Sequence, residues 1–232
     1  MALLSRGRAT AALAAALLAA SVAGQLALRR NRPASAPPLA EGALAALGGL
    51  RSIAAEVVWF RADRLQDEGR YVELAQLASA LAFMEPHTPE VWSYAAWNLA
   101  YNISVMMPTH EDRWRWVEAA IRLLRDEGLA LNPGSRELYR ELAWLFELKI
   151  GTDMDSAAPI YRRKWREIVE DVAARNAWGE LGMDPARMRA IEKATGFDDW
   201  TDPQLSAIYW GAAGGWRDIV NQASVIYRRS RK

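Results

Sequence analysis

Histidines, paired acids and aromatic rings are the side chains of this sequence whose type and spacing could support chemistry. The chain has no cysteine and only two histidines, His87 and His110, so disulfides, thiolate zinc sites, iron–sulfur clusters and a cysteine nucleophile are excluded. His110 is followed by Glu111 and Asp112, but consecutive residues at a helix start point in different directions and cannot close one coordination sphere. His87 lies next to Pro86 in a predicted turn, with no acid or nucleophile beside it. We therefore expect no metal, no cofactor and no catalytic residue.

One acidic pair has the spacing of a catalytic carboxylate pair. Glu137 and Glu141 lie four residues apart and share one face of a helix, but Arg136 and Arg140 flank them, which indicates a solvated charge array. No strand is predicted, so no glycine-rich phosphate loop can follow one. The sequence therefore predicts a protein that is not an enzyme.

Aromatic rings are the remaining candidates for binding. The chain carries 11 tryptophans among 232 residues, and a helical core uses only part of them. Exposed rings contribute most of the binding energy in many protein interfaces. The alternative is that each ring belongs to the core. The rings that we predict for a partner-binding groove are Trp92, Tyr94, Trp114, Trp116 and Trp144.

The elements that position these rings are helices. The chain is 51% hydrophobic and 25% charged, the balance of a globular protein, and from residue 43 onward its apolar residues recur with helical period. The five apolar stripes are Leu74, Leu77, Leu81 and Met84; Tyr94, Trp97 and Tyr101; Trp114, Val117, Ile121 and Leu124; Leu138, Leu142 and Leu145; and Tyr161, Trp165, Ile168 and Val172. Each stripe needs a neighbour to cover it, which predicts an all-α fold of antiparallel helix pairs.

The turns between the predicted helices recur at a regular spacing. Gly69 permits a tight link, Tyr71 begins the next helix, and Pro86 follows 17 residues after Gly69. Thr88 is predicted to cap the next helix, with Pro89 at its first position. These residues fit a unit of 34 residues that begins at residue 55.

A second closing turn at Pro133 lies 47 residues after Pro86, which exceeds the 34-residue unit by 13. The second unit therefore contains an insertion, which we predict at Asn102–Asp112. Within it, Thr109 and Asp112 form a predicted capping box for the following helix.

These turns and helix positions resemble the tetratricopeptide repeat, over about residues 55–173 as three units. The strings at residues 97–104 and 138–144 are also similar to an uncharacterised group of bacterial membrane-associated repeat proteins. The resemblance implies an α-solenoid with a concave, helix-lined surface that holds a peptide or a partner domain. It assigns no binding residue to this chain, because no charged pattern is repeated between the units.

The repeat pattern fades after residue 173, and residues 174–232 are predicted to form a C-terminal helical cap of the repeats at 43–173. Asp184 and Asp202, each followed by proline, are predicted helix caps. Gly196 is predicted to end one helix, and Gly211 to break another. A last helix over residues 216–228 is predicted to end in a frayed, solvated basic tail.

The N-terminal segment, residues 1–30, carries an uncharged run from Ala9 to Leu28 with arginines on both sides. Twenty helical residues reach about 30 Å, the thickness of the hydrocarbon core, so we predict a signal anchor. Small residues at Ser21 and Ala23 leave a cleaved signal peptide as the alternative, and a soluble alanine-rich helix is a third. Residues 31–42 are a predicted Pro/Ala linker. We expect a single-pass protein of the inner (cytoplasmic) membrane with its body outside the cytoplasm.

Charge and repeats together indicate the class of function. Residues 41–232 carry 24 basic and 28 acidic groups, and an acidic body argues against a nucleic-acid partner. The leading hypothesis is a membrane-tethered scaffold that organises an envelope complex through protein partners. The alternatives are a structural subunit of a larger membrane assembly, which includes a homo-oligomer, and an enzyme accessory that acts on envelope polymers.

Overall fold

The computed structural model describes residues 85–231 without a gap and, before them, residues 57, 60–62, 64–65, 67–70, 73–74 and 76–77. These residues form helices and turns, with no strand among them, which confirms the predicted all-α class. No helix within them is long and apolar enough to cross a membrane. The predicted signal anchor at 1–30 and the linker at 31–42 lie outside the described residues.

Three long helices each contain a six-residue π-helical turn. Helix α1, residues 89–106, consists of Pro89–Trp97, the π turn Asn98–Ile103 and Ser104–Met106. Helix α2, residues 110–131, consists of His110–Arg122, the π turn Leu123–Gly128 and Leu129–Leu131. Helix α3, residues 136–150, consists of Arg136–Trp144 and the π turn Leu145–Ile150.

Four further helices follow. Helix α4 spans Ala158–Ala174 and is followed by a 3-10 turn at Trp178–Leu181. Helix α5 spans Pro185–Thr195, helix α6 Pro203–Ala213 and helix α7 Arg217–Ser230. The start of α1 packs against the end of α2, and the end of α1 packs against the start of α2, so the two helices are antiparallel.

Most of the predicted chain reversals are present. Gly69 lies in a turn with a φ of +69°, a conformation that favours glycine. The Thr109 hydroxyl accepts a hydrogen bond from the Asp112 amide at 3.1 Å, which confirms Thr109 as the cap of α2. Thr88 holds the cap position of α1, but its side chain makes no capping bond and donates to Glu85 instead, at 3.1 Å. The predicted side-chain cap at Thr88 is therefore wrong.

The predicted insertion loop at Asn102–Asp112 is also wrong. Helix α1 continues through this region to Met106, and α2 already begins at His110. The residues in excess of a 34-residue unit lengthen α1 and α2, and each of these helices contains a π turn, which accommodates an extra residue without ending the helix.

One hydrophobic core extends from Trp92 in α1 to Tyr227 in α7. The stripes from Trp114 to Leu124 and from Leu138 to Leu145 are fully buried, as predicted. Helix α6 packs against both α3 and α7, so its residues from Pro203 to Gly211 are buried around the whole helix. The predicted break at Gly211 is wrong, because Gly211 lies inside α6, where a Cβ would meet the side chains of α7.

The C-terminal helices begin and end largely as the sequence predicts. The side chains of Asp184 and Asp202 accept hydrogen bonds from the first amides of α5 and α6, and Gly196 ends α5 with a φ of +73°. The predicted frayed tail is wrong for the described residues, because α7 continues to Ser230 and Arg231 forms an ion pair with Asp199. The helices of residues 174–231 share the core of the preceding helices.

Candidate functional site

Two exposed tryptophans occupy equivalent positions in α1 and α3. Trp97 and Trp144 are 47 residues apart, the same spacing that separates Pro86 from Pro133. Each immediately precedes a π turn, and the two π turns are offset by the same 47 residues. The side chains are 41% and 38% exposed, although tryptophan is normally well buried. The repeated position makes these two rings a structural feature of the unit.

Both rings line one cavity, which we call the aromatic groove. It has a volume of about 320 Å³, within the range of ligand-binding pockets. The residues that line it come from α1, α2, α3 and the loop after α3, and they are Ala96, Trp97, Tyr101, Leu124, Glu141, Trp144, Leu145, Leu148 and Met154. The walls are mostly apolar, and Met154 at the rim is 67% exposed. The groove therefore offers apolar surface to a partner.

Glu141 is the acidic residue of the aromatic groove. Its side chain is only 16% exposed and accepts a hydrogen bond from Arg140 at 3.1 Å. Burial raises the pKa of Glu141, and Arg140 acts in the opposite direction. Glu137 and Glu141 were predicted to lie on a solvated surface, and for Glu141 this is wrong, since α1 and α2 build the groove around it.

Arginines of α3 pack on tryptophan rings instead of extending into solvent. The Arg140 guanidinium lies 4.9 Å from the Trp144 ring and 5.3 Å from the Trp216 ring. Arg136 donates to the Gly214 carbonyl at 3.0 Å and lies 4.9 Å from the Trp216 ring. These contacts tie α3 to the turn between α6 and α7, which fixes the helix that carries Glu141 and Trp144.

Tyr101 forms part of the groove wall and joins it to a buried charge. Its ring stacks on Trp97 with 5.9 Å between centroids. The Lys149 Nζ lies 5.1 Å from the centroid of the Tyr101 ring. Burial, together with the nearby Glu141 and Glu147 carboxylates, raises the pKa of Tyr101 to about 12. The phenol therefore stays neutral at ordinary pH.

Behind this wall lies a buried ionic network centred on Asp155. One carboxylate oxygen of Asp155 accepts from Lys149 at 2.7 Å and from the Tyr161 hydroxyl at 2.9 Å. The other oxygen accepts from the Ala157 amide at 2.9 Å and from Arg113 at 3.2 Å. The network fixes the loop after α3, which carries Met154 of the groove.

The structure divides the five rings that the sequence predicts for partner binding. Trp92 and Trp114 are buried in the core, at 3% and 5% exposure, and the Trp92 indole donates to the Pro86 carbonyl at 3.0 Å. Tyr94 and Trp116 are half-buried, and Tyr94 packs beside Ala62, Leu65 and Leu74. Only Trp144 lines the aromatic groove. The core positions of Trp92 and Trp114 leave their rings without accessible surface.

Sequence reasoning placed Trp97 and Tyr101 in a core stripe, and both line the groove instead. The signal that could have found Trp97 is present in the sequence, since adding the 47-residue spacing to Trp97 gives Trp144. Burial of Glu141 had no such signal, because it depends on helices distant along the chain.

The histidines lie apart from the groove. His87 Nδ1 is 3.2 Å from the Leu131 carbonyl oxygen, between the two chain reversals. His110 is exposed at the start of α2. Over the residues that the structure describes, no three His, Asp or Glu side chains converge as metal ligands.

No family model, no curated protein and no solved structure matches this chain.

Proposed function

We propose that the protein is a non-enzymatic interaction scaffold of tetratricopeptide-like units, whose aromatic groove docks a segment of a protein partner. The observation that carries the proposal is the pair Trp97 and Trp144, exposed at the same position of successive units and lining one groove. Tryptophan is among the residues that contribute most binding energy at protein interfaces.

The helical architecture supports this proposal. Helices α1 and α2 form an antiparallel hairpin, and α3 packs beside α1, which fits the helix-lined surface that the repeat resemblance implies. The groove contains a single carboxylate, Glu141, so paired-carboxylate chemistry on a polymer has no support there. Membrane tethering remains part of the proposal, on the basis of the uncharged run within residues 1–30.

A structural subunit of a larger assembly is the second candidate. Val105 and Met106, at the end of α1, are 46% and 52% exposed, and Met154 is more exposed still. Exposed apolar residues of this size are typical of a surface that another chain covers.

The two candidates share one test. We would extract the full chain from its own membranes in mild detergent and measure the size of its complex by native electrophoresis. We expect a complex that becomes smaller in the double variant Trp97→Ala/Trp144→Ala. The matched control is Leu131→Ala/Val225→Ala, because these side chains are 42% and 43% exposed and lie outside the groove. A wild-type chain that migrates alone would contradict both candidates.

A further inference from the structure

We infer that the segment docked in the aromatic groove presents a lysine or arginine side chain flanked by apolar residues, with its cation over the Trp97 ring and facing Glu141. The inference rests on the proposed function and names the chemistry of the partner.

The first support is the charge around the groove. Glu141 lies in its wall, and the Glu137 and Glu147 carboxylates are close enough to act electrostatically on Glu141 and Tyr101, respectively. The two cations of the wall are already neutralised, since Arg140 pairs with Glu141 and Lys149 pairs with Asp155 at 2.7 Å. The groove therefore attracts a positive group from a partner.

The second support is the face of Trp97. One side of this ring stacks on Tyr101, with 27° between the ring planes, and the side chain remains 41% exposed. Arg140 covers the equivalent Trp144 at 4.9 Å. Within residues 85–231, no cation lies over Trp97. A ring face of this kind attracts lysine and arginine, most strongly where water is excluded.

The third support is the cost of leaving Glu141 without a further partner. Its carboxylate is mostly buried, and burial raises its pKa even though Arg140 is beside it. An apolar segment would increase that burial, and an acidic segment would add repulsion. A cationic segment offsets both effects, while its apolar neighbours fill the remaining groove surface.

The test selects random dodecapeptides by phage display on the full chain held in mild detergent, with counter-selection on the double variant Trp97→Ala/Trp144→Ala. We expect enriched peptides with a lysine or arginine between apolar residues. The selected peptide is then titrated by fluorescence anisotropy against Glu141→Gln, which keeps the shape and removes the charge. The dissociation constant should rise by about 10-fold, and a peptide with norleucine in place of the basic residue should lose this difference.

Glu170→Gln, an exposed site on α4, is the matched control and should leave the affinity unchanged. Circular dichroism confirms that each variant is folded. Enriched peptides that lack a basic residue, or an affinity unaffected by Glu141→Gln, would overturn the inference and leave the groove as a docking site. Failure to enrich any groove-dependent peptide would count against the proposed function itself, and the inference would fall with it.

Discussion

Replacing Asp155 by asparagine should destabilise the protein strongly, because this residue is the acid of a buried network. The side chains of Asp155 and Lys149 are 6% and 4% exposed and 2.7 Å apart. Asparagine keeps the shape but leaves the Lys149 ammonium buried without an anionic partner. Removing one member of a buried pair costs about 3–5 kcal/mol of unfolding free energy.

The network also predicts how stability depends on pH. Burial alone would raise the pKa of Asp155, but hydrogen bonds from Ala157, Lys149 and Tyr161 outweigh it and lower the pKa from 3.8 to about 2. A lowered pKa means that the stabilisation is present above pH about 4 and is lost as the pH falls towards 2. A shift of this size corresponds to about 2 kcal/mol.

The assay is urea unfolding at pH 7, followed by far-UV circular dichroism. Asp153→Asn is the matched control, because Asp153 lies in the same loop and pairs with Arg162, but its side chain is 86% exposed. An exposed pair contributes about 0–1 kcal/mol. In a double-mutant cycle, Lys149→Met should recover much of the loss caused by Asp155→Asn. An effect of Asp155→Asn as small as that of the control would refute the reasoning.

Three further predictions test the assignment of core and groove. Trp92→Ala should cost about 3–5 kcal/mol of unfolding free energy, since its side chain is 3% exposed, whereas Trp144→Ala should cost about 1–2 kcal/mol; similar losses in thermal unfolding would contradict this division. Glu147 is 1% exposed, and burial raises its pKa from 4.5 to about 7, so the wild type should lose about 3 kcal/mol relative to Glu147→Gln as the pH rises from about 4.5 to 7; parallel stability curves for the two proteins would contradict it. Gly151→Ala should cost about 1–3 kcal/mol, because the new methyl group would meet the Gln204 amide and lie 2.7 Å from the Phe146 carbonyl oxygen; an unchanged urea midpoint would show that this contact relaxes.

Local signals in the sequence located the helix ends well. Thr109, Asp184 and Asp202 cap helices because a side-chain oxygen reaches amides two or three residues ahead, which needs no information from the rest of the fold. The positive φ at Gly69 and Gly196 is a local requirement in the same sense. The all-α class and the buried stripes of α2 and α3 follow from the helical period.

Long-range packing decided what the sequence did not predict. The π turns that lengthen α1 and α2 have no local code in these residues, so an excess of 13 residues was interpreted as a loop. Glu141 lies at the spacing of a surface acid, but the packing of α1 and α2 against α3 buries it. Trp97 has the period of a core residue, and the structure places it at the rim of the groove.

Site-specific photocrosslinking tests the central claim most directly. The full chain would carry benzoylphenylalanine at position 97, at position 144 or, as control, at position 225, and would be irradiated in its native cells before mass spectrometry. The account predicts that positions 97 and 144 crosslink to the same polypeptide, through one continuous segment, and that position 225 does not. Adducts that differ between 97 and 144, the same adducts from 225, or none at either groove position would contradict it.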